Sequence, residues 1–239
     1  MFPIRLAIPT RYPPLVTWAL IAVNTFIFLV QTTLSPAELE VFLARFALIP
    51  AAYFQPVFYG DGALMLADYL PFVTNMFLHG GWLHLIVNMW TLWLFGPTVE
   101  DRLGHGRYLA FYLVCGLVAS LAQVYAGPDS ILPSLGASGA IAGVLAGYLV
   151  LFPTNRVRVL LGYFITTVPA VAMIGLWALI QFFNGFAATS VSAQTGGVAY
   201  MAHIGGFIAG LVLAFVLKPF SDRGIGPHVV GYPRRGTFS

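Results

Sequence analysis

The chain has little charge. Of its 239 residues 8% are Asp, Glu, Lys or Arg, while 59% are hydrophobic; a soluble globular domain carries about 25% charged residues. That balance excludes an ordinary water-soluble fold. A membrane-spanning helix needs about 20 apolar residues, so a chain of this length has room for several spans joined by short loops, and none for a separate soluble domain of ordinary size. Cysteine is almost missing too. Cys115 stands alone inside an apolar run, which leaves neither an intramolecular disulfide nor a cysteine-based metal site. Lys and Arg outnumber Asp and Glu by 11 to 8, but they come in ones and twos and form no stripe that could track phosphates, so no nucleic-acid partner is expected. Internal repeats and low-complexity stretches are absent as well.

What is present is a series of apolar segments separated by turn-rich or charged breaks. They run from about 15 to 31, 82 to 96, 108 to 126, 138 to 153, 159 to 183 and 198 to 217. Six helices are expected, making an all-α membrane protein with a membrane domain over 15–217. A segment at 1–14 precedes it, and a Gly- and Pro-rich tail at 218–239 is expected to be disordered. The first run has no small-residue cleavage site after it and reads as a retained helix. Pro169 is expected to kink the fifth helix. The second and fourth segments are short for a full span, which suits helices that begin inside the membrane or are surrounded by protein.

Charge placement orients the series. Arg5, Arg11, Arg102, Arg107, Arg156, Arg158, Lys218, Arg223, Arg234 and Arg235 fall in places that share one side if six helices alternate. Arg45 falls on the other side, with Glu38, Glu40, Asp61, Asp68 and Asp129. The positive-inside rule then puts both termini in the cytoplasm of a multi-pass protein of the plasma membrane, and the basic excess is a topology signal. The long external loop, about 32–81, contains "PAELEVFLARFALIP", read as a short helix starting after Ser35, and an aromatic tract through Phe58, Tyr59 and Tyr69.

Polar side chains inside apolar runs cost free energy unless paired, which makes them functional candidates. Of the five histidines, His105 and His228 fall in cytoplasmic segments and His79 stands just before a span. His84 and Asn88, four apart on one helix face, share a depth with Ser138 and His203, because all four lie in the first turns of helices entering from the external side. Glycines offer a way to join them. Gly139, Gly143 and Gly147 line one face of the fourth helix, and Gly206 and Gly210 follow His203 on the sixth. Small-xxx-small faces let backbones approach closely, which would bring Ser138 within hydrogen-bond reach of His203.

A serine hydroxyl needs a base to become a nucleophile, and the tetrahedral intermediate it forms needs donors for its oxyanion. His203 is the candidate base. The Ser138 N–H, His84 and Asn88 are the candidate donors. No carboxylate lies within any of the six segments, so the third member that normally orients the histidine is absent and a dyad remains. The same absence argues against an aspartyl protease, and the lack of H-E-x-x-H against a zinc one; no metal or other cofactor is expected. Each feature also has a purely structural reading: serine and glycine as packing residues, histidine and asparagine as helix-to-helix hydrogen bonders. On those readings the chain is a non-catalytic membrane chaperone or client-binding scaffold. A transporter would want an intramembrane charge or a broken-helix ion site.

The motifs carrying these residues resemble those of the rhomboid family of intramembrane serine proteases. "FLHGGWLHLIVNMWTLWLFG" is similar to the family's second-helix motif and holds His79, His84 and Asn88; "GASGAIAG" resembles the nucleophile motif at Ser138; "AHIGGFIAG" resembles the sixth-helix motif at His203. "VEDRLGHGRYLAFYL" looks like the turn into the third helix, with Glu100 and Arg102 as structural residues. The resemblance covers about 15–217. It implies a six-helix rhomboid-like bundle and cleavage of peptide bonds in or near the transmembrane helices of other membrane proteins, within the lipid bilayer, by a Ser138/His203 dyad through an acyl-enzyme. His84 and Asn88 would assist at the oxyanion. It further implies a preference for small residues before the cut, a membrane-embedded first external loop, and a gate formed by the fifth helix and the loop at 184–197. Two positions depart from the family. Ala142 stands where some members have a tyrosine packed on the catalytic histidine, so His203 is expected to take its orientation from other neighbours, and "ADYLPF" replaces a tryptophan-bearing approach to the second helix.

Overall fold

The computed structural model describes residues 2–6, 10–55, 64–190 and 199–221. The aromatic tract through Phe58 and Tyr59, residues 191–197 of the expected gate, and the tail beyond Ser221 with His228 lie outside the described residues. The helices are α1 (Leu15–Thr33), α2 (Pro36–Phe46), α3 (Pro71–Thr74), α4 (Trp82–Leu103), α5 (His105–Ala126), α6 (Ser138–Leu151), α7 (Ala170–Ser190) and α8 (Tyr200–Ser221). Among them α1, α5, α7 and α8 are long and apolar enough to cross a membrane, and α4 with the helical stretch Leu66–Phe77, bent from it by 79°, makes a fifth candidate span. Lys218 to Ser221, expected to belong to the tail, continue α8.

The sixth apolar helix, α6, is the shortest. Its 14 residues reach only about 21 Å at 1.5 Å per residue, less than the roughly 30 Å of a hydrocarbon core. Protein surrounds it instead. α4, α5 and α8 pack around it, and every α6 residue except Ser138 and Leu149 is buried. A short helix whose ends meet protein does not leave its terminal backbone groups facing lipid.

Glycine sets how closely α6 is held. A Cβ added at Gly139, Gly143 or Gly147 would point at α5 and lie 2.5 Å from the Ala119 Cβ, 2.5 Å from Cys115 and 2.9 Å from a Phe111 ring carbon, respectively. The α8 glycines press from another side: a Cβ at Gly206 would collide with the Gly139 carbonyl oxygen, and one at Gly210 with that of Gly143. The two glycine rows therefore meet as the spacing suggested, Gly206 against Gly139 and Gly210 against Gly143. The α6 row makes room for α5 as well, which the spacing did not show.

The stretch expected as the start of the fifth helix has a different structure. Residues 156–169 form a β-hairpin, β2 (Arg156–Leu161) and β3 (Phe164–Pro169), joined by a two-residue turn in which Gly162 has φ +60°. An N-terminal strand, β1 (Phe2–Leu6), adds to its other edge in the order β1-β2-β3. The helix begins only at Ala170, so Pro169 ends a strand and does not kink a helix. Alternation was the overlooked signal. Val157 and Val159 are buried while Arg156 and Arg158 are exposed, the period-2 pattern of a half-buried strand. The sheet lies along the side of the bundle, where Trp90 Nε1 donates to the Pro3 carbonyl at 2.9 Å.

The second apolar segment continues as helix beyond residue 96, through Pro97 to Leu103, and brings Glu100 into α4. Pro14, the N-cap of α1, offers no capping side chain. Glu100 takes that role from a distance: its carboxylate accepts from the Val16 and Thr17 amides at 2.9 and 2.8 Å and from Thr17 Oγ1 at 2.6 Å. His105 Nδ1 lies 2.6 Å away on its other side. With Glu100 1% exposed, replacing it by Ala would strand buried donors at the positive end of a helix dipole. Glu100→Ala is expected to lower stability by about 3 kcal/mol, and Glu100→Gln, which keeps an acceptor, by clearly less. Thermal unfolding of both variants in detergent checks this.

On the opposite end of the bundle Ser35 caps α2 as the sequence predicts, in a capping box with Glu38. The Ser35 hydroxyl, and then its backbone amide, donate to the Glu38 carboxylate and hold it below its usual range. The segment that follows α2 also braces the approach to α6. Leu48 and Ser134 exchange backbone hydrogen bonds at 3.0 and 2.7 Å, and the Gly136 amide donates to the Asn75 carbonyl at 2.8 Å.

Candidate active site

Ser138 is the first residue of α6, so its amide has no partner within the helix. The chain reaches it through Gly136, held at φ +129°, a conformation open mainly to glycine. A side chain is barred there on a second ground: a Cβ would sit 2.7 Å from the His84 ring and 3.6 Å from Ser138 Oγ. That contact puts the His84 imidazole beside the entry to α6. Asn88, one turn further along α4, is buried, and its Nδ2 has no hydrogen-bond partner among the described residues.

α8 delivers the imidazole. His203, the fourth residue of α8, is 8% exposed, and its Nε2 lies 2.8 Å from Ser138 Oγ. Near the start of α8, Gln123 Oε1 of α5 accepts from the Ala202 amide at 3.3 Å. The other imidazole nitrogen, Nδ1, is 2.7 Å from Gln181 Oε1 of α7. Trp177, one turn before Gln181, packs its ring 5.8 Å from that of His203 at an interplanar angle of 38°.

The structure thus brings Ser138 and His203 into direct contact and sets His84 beside Gly136. His79 is placed behind them. Its backbone amide and carbonyl pair with the Gln31 side chain at 3.1 and 3.2 Å, and its ring meets that of His84 edge-on at 5.1 Å. His105 belongs with Glu100 at the other end of α4. A small cavity adjoins Ser138, lined by Gly116, Ala119, Ser120, Gly139 and Ala202 among others. On its wall Asn75 Nδ2 donates to Ser120 Oγ at 2.9 Å, and that hydroxyl donates to the Phe72 carbonyl at 3.1 Å. Among the described residues, no cluster of three His, Cys, Asp or Glu is placed to hold a metal ion.

Sequence reasoning missed Gln181, Gln123 and Asn75. The rule that singled out Asn88 would have found Gln181, an amide in the middle of an apolar run. Nothing in sequence spacing says that it faces His203, because that depends on how α7 packs against α8.

Residues 67–220, more than half of the chain, match the family model described as the Rhomboid domain. The chain is 32% identical over 166 residues to Rhomboid protease GluP of Bacillus subtilis, covering 70% of this chain and 27% of the relative. It is 28% identical over 163 residues to Rhomboid protein 1, mitochondrial, of Saccharomyces cerevisiae, covering 65% and 45%. With RHOMBOID-like protein 5 of Arabidopsis thaliana it shares 32% over 145 residues, covering 61% and 43%. The chain therefore spans less than half the length of each of these relatives. A helical membrane bundle with a serine and a histidine in contact at one end defines the class, and the family match completes it: the chain belongs to the rhomboid family.

Proposed function

We propose that the chain is an intramembrane serine endopeptidase that cleaves peptide bonds in or near the transmembrane helices of other membrane proteins. The observation that carries this reading is the 2.8 Å contact between His203 Nε2 and Ser138 Oγ at the start of two closely packed helices. In the reaction Ser138 Oγ gives its proton to His203 Nε2 as it attacks the scissile carbonyl carbon. The oxyanion so formed is held by the Ser138 amide, His84 and Asn88. On collapse the peptide C–N bond breaks, the imidazolium protonates the leaving amine, and an acyl-enzyme remains. Water, deprotonated by His203, hydrolyses it and frees Ser138.

Two features favour this reading over packing. The Asn88 amide is buried with an unused donor, which is costly unless something accepts from it. The cavity beside Ser138 is small, with Gly116, Ala119, Gly139 and Ala202 in its lining beside Asn75, Met76 and Ser120, which leaves no room for a large substrate side chain. The same reading assigns 15–217 as the catalytic membrane domain. From the placement of basic residues it puts both termini in the cytoplasm of a plasma-membrane protein, with the site opening to the external side.

Labelling detergent-purified protein with a fluorophosphonate tests the proposal without a known substrate. Intact mass and peptide mapping are expected to show one adduct, on Ser138. Adducts at several serines in equal amount, or none on Ser138 in folded protein that binds a membrane client, would favour the non-catalytic scaffold.

A further inference from the structure

The proposed mechanism needs His203 in one tautomer, with a proton on Nδ1 and the lone pair of Nε2 turned to Ser138, and among the described residues no carboxylate is in contact to impose it. We infer that Gln181 is the positioning residue that fixes this tautomer and the ring orientation of His203. The inference rests on the protease reading above and deepens it.

The geometry is specific. Gln181 Oε1 is an acceptor 2.7 Å from Nδ1, so Nδ1 must be the donor, and a neutral imidazole protonated there leaves Nε2 free to accept from the Ser138 hydroxyl. Both partners are buried, at 9% and 8% exposure, so water competes little for the bond. Trp177 and Gln181 are four residues apart and share one face of α7. One lies against the imidazole ring and the other holds its edge, so a single helix turn fixes both the ring's plane and its rotation. This is the service a carboxylate performs in a triad, supplied here by a neutral group that burial in a membrane protein penalises less than a charge. It also accounts for the tolerance of Ala142: α7 supplies the contacts that a larger side chain on α6 would otherwise provide. As Gln181 does not touch the reacting atoms, its role is positioning and not catalysis.

The test combines rate and tautomer. Gln181→Leu and Gln181→Met remove the acceptor with two different shapes, and Gln181→Glu keeps an acceptor oxygen. Wild type labelled on Ser138 establishes that the protease reading holds. Against it, the Leu and Met variants are expected to label about 10- to 100-fold more slowly, the size expected for loss of a hydrogen bond to a group that becomes charged in the transition state. Gln181→Glu should recover most of that loss. Equal rates in all four proteins overturn the inference and leave the protease reading standing. So does a loss that Gln181→Glu fails to recover, which would mark Gln181 as a packing residue. Wild type that does not label overturns the protease reading and the inference with it. The ring 15N resonances of His203 in wild type, assigned by difference from His203→Ala, give a readout independent of turnover. The Nδ1–H tautomer is expected, and the Nε2–H tautomer overturns the inference even if every variant folds poorly.

Discussion

Replacing Ser138 by alanine is expected to abolish cleavage of a reporter carrying a transmembrane helix while leaving the protein folded. The substitution removes one oxygen. Among the described residues its hydroxyl bonds His203 Nε2 alone, so the loss of stability should be about 1 kcal/mol. The kinetic loss is of another order. Where a serine and a histidine act as a unit, removing either one lowers turnover by about 10⁶-fold, nearly as much as removing both. Ser138→Ala, His203→Ala and the double variant are therefore expected to be equally inactive, with remaining hydrolysis set by the donors at the oxyanion site. Non-additivity is the discriminating result. If Ser138→Ala and His203→Ala each lose only part of the activity and the losses multiply, the two residues contribute separately and the dyad is wrong. Wild-type cleavage by Ser138→Ala would remove the nucleophile from the proposal altogether. Circular dichroism and unfolding temperatures in the same detergent show that the variants remain folded.

The residues of this site were legible in sequence for a reason that also explains what was not. A bilayer penalises every unpaired polar group, so a serine, two histidines and an asparagine in apolar runs stand out, and alternating helices bring their depths together. Spacing told only part of the contact. Gly139 and Gly143 meet Gly206 and Gly210 of α8 as expected, but the α6 glycines also make room for Ala119, Cys115 and Phe111 of α5, because a row of glycines says that something approaches closely without saying how many helices do so. The part of the hairpin from 159 to 169 was expected as a helix start because apolar content was weighed over period: Val159, Leu160 and Leu161 make as good an apolar run as a helix start, and the alternation shows only when Arg156 to Arg158 are read with them. Gln181 was passed over for the opposite reason. Its polarity was visible, but its partner is 22 residues away on the next helix, and only the packing of α7 against α8 makes the pair.

The close contact of α6 and α8 gives the second large effect. Gly206→Ala adds one carbon atom, and that carbon would collide with the Gly139 carbonyl oxygen. The obstacle is backbone within a helix buried on all sides, so no rotamer change relieves it, and α8 must move away from α6 or tilt. Overpacking of this kind costs roughly 1–3 kcal/mol, and the site should suffer more than the fold. His203 precedes Gly206 by three residues, about 4.5 Å along α8, so nearly the whole displacement is felt at Nε2. A shift of about 1 Å would take the 2.8 Å contact with Ser138 Oγ beyond hydrogen-bond range, and misplacement of that size can cost about 100-fold in rate. Gly206→Ala is therefore expected to lower fluorophosphonate labelling of Ser138 by about 100-fold while the protein still inserts and folds at moderate temperature. Gly175→Ala is the matched control: the same chemical change in α7, where an added Cβ meets nothing within 4 Å, should leave labelling unchanged. Equal rates for the two variants would mean that α6 and α8 can separate without disturbing the dyad, and that close backbone approach is not what brings Ser138 to His203.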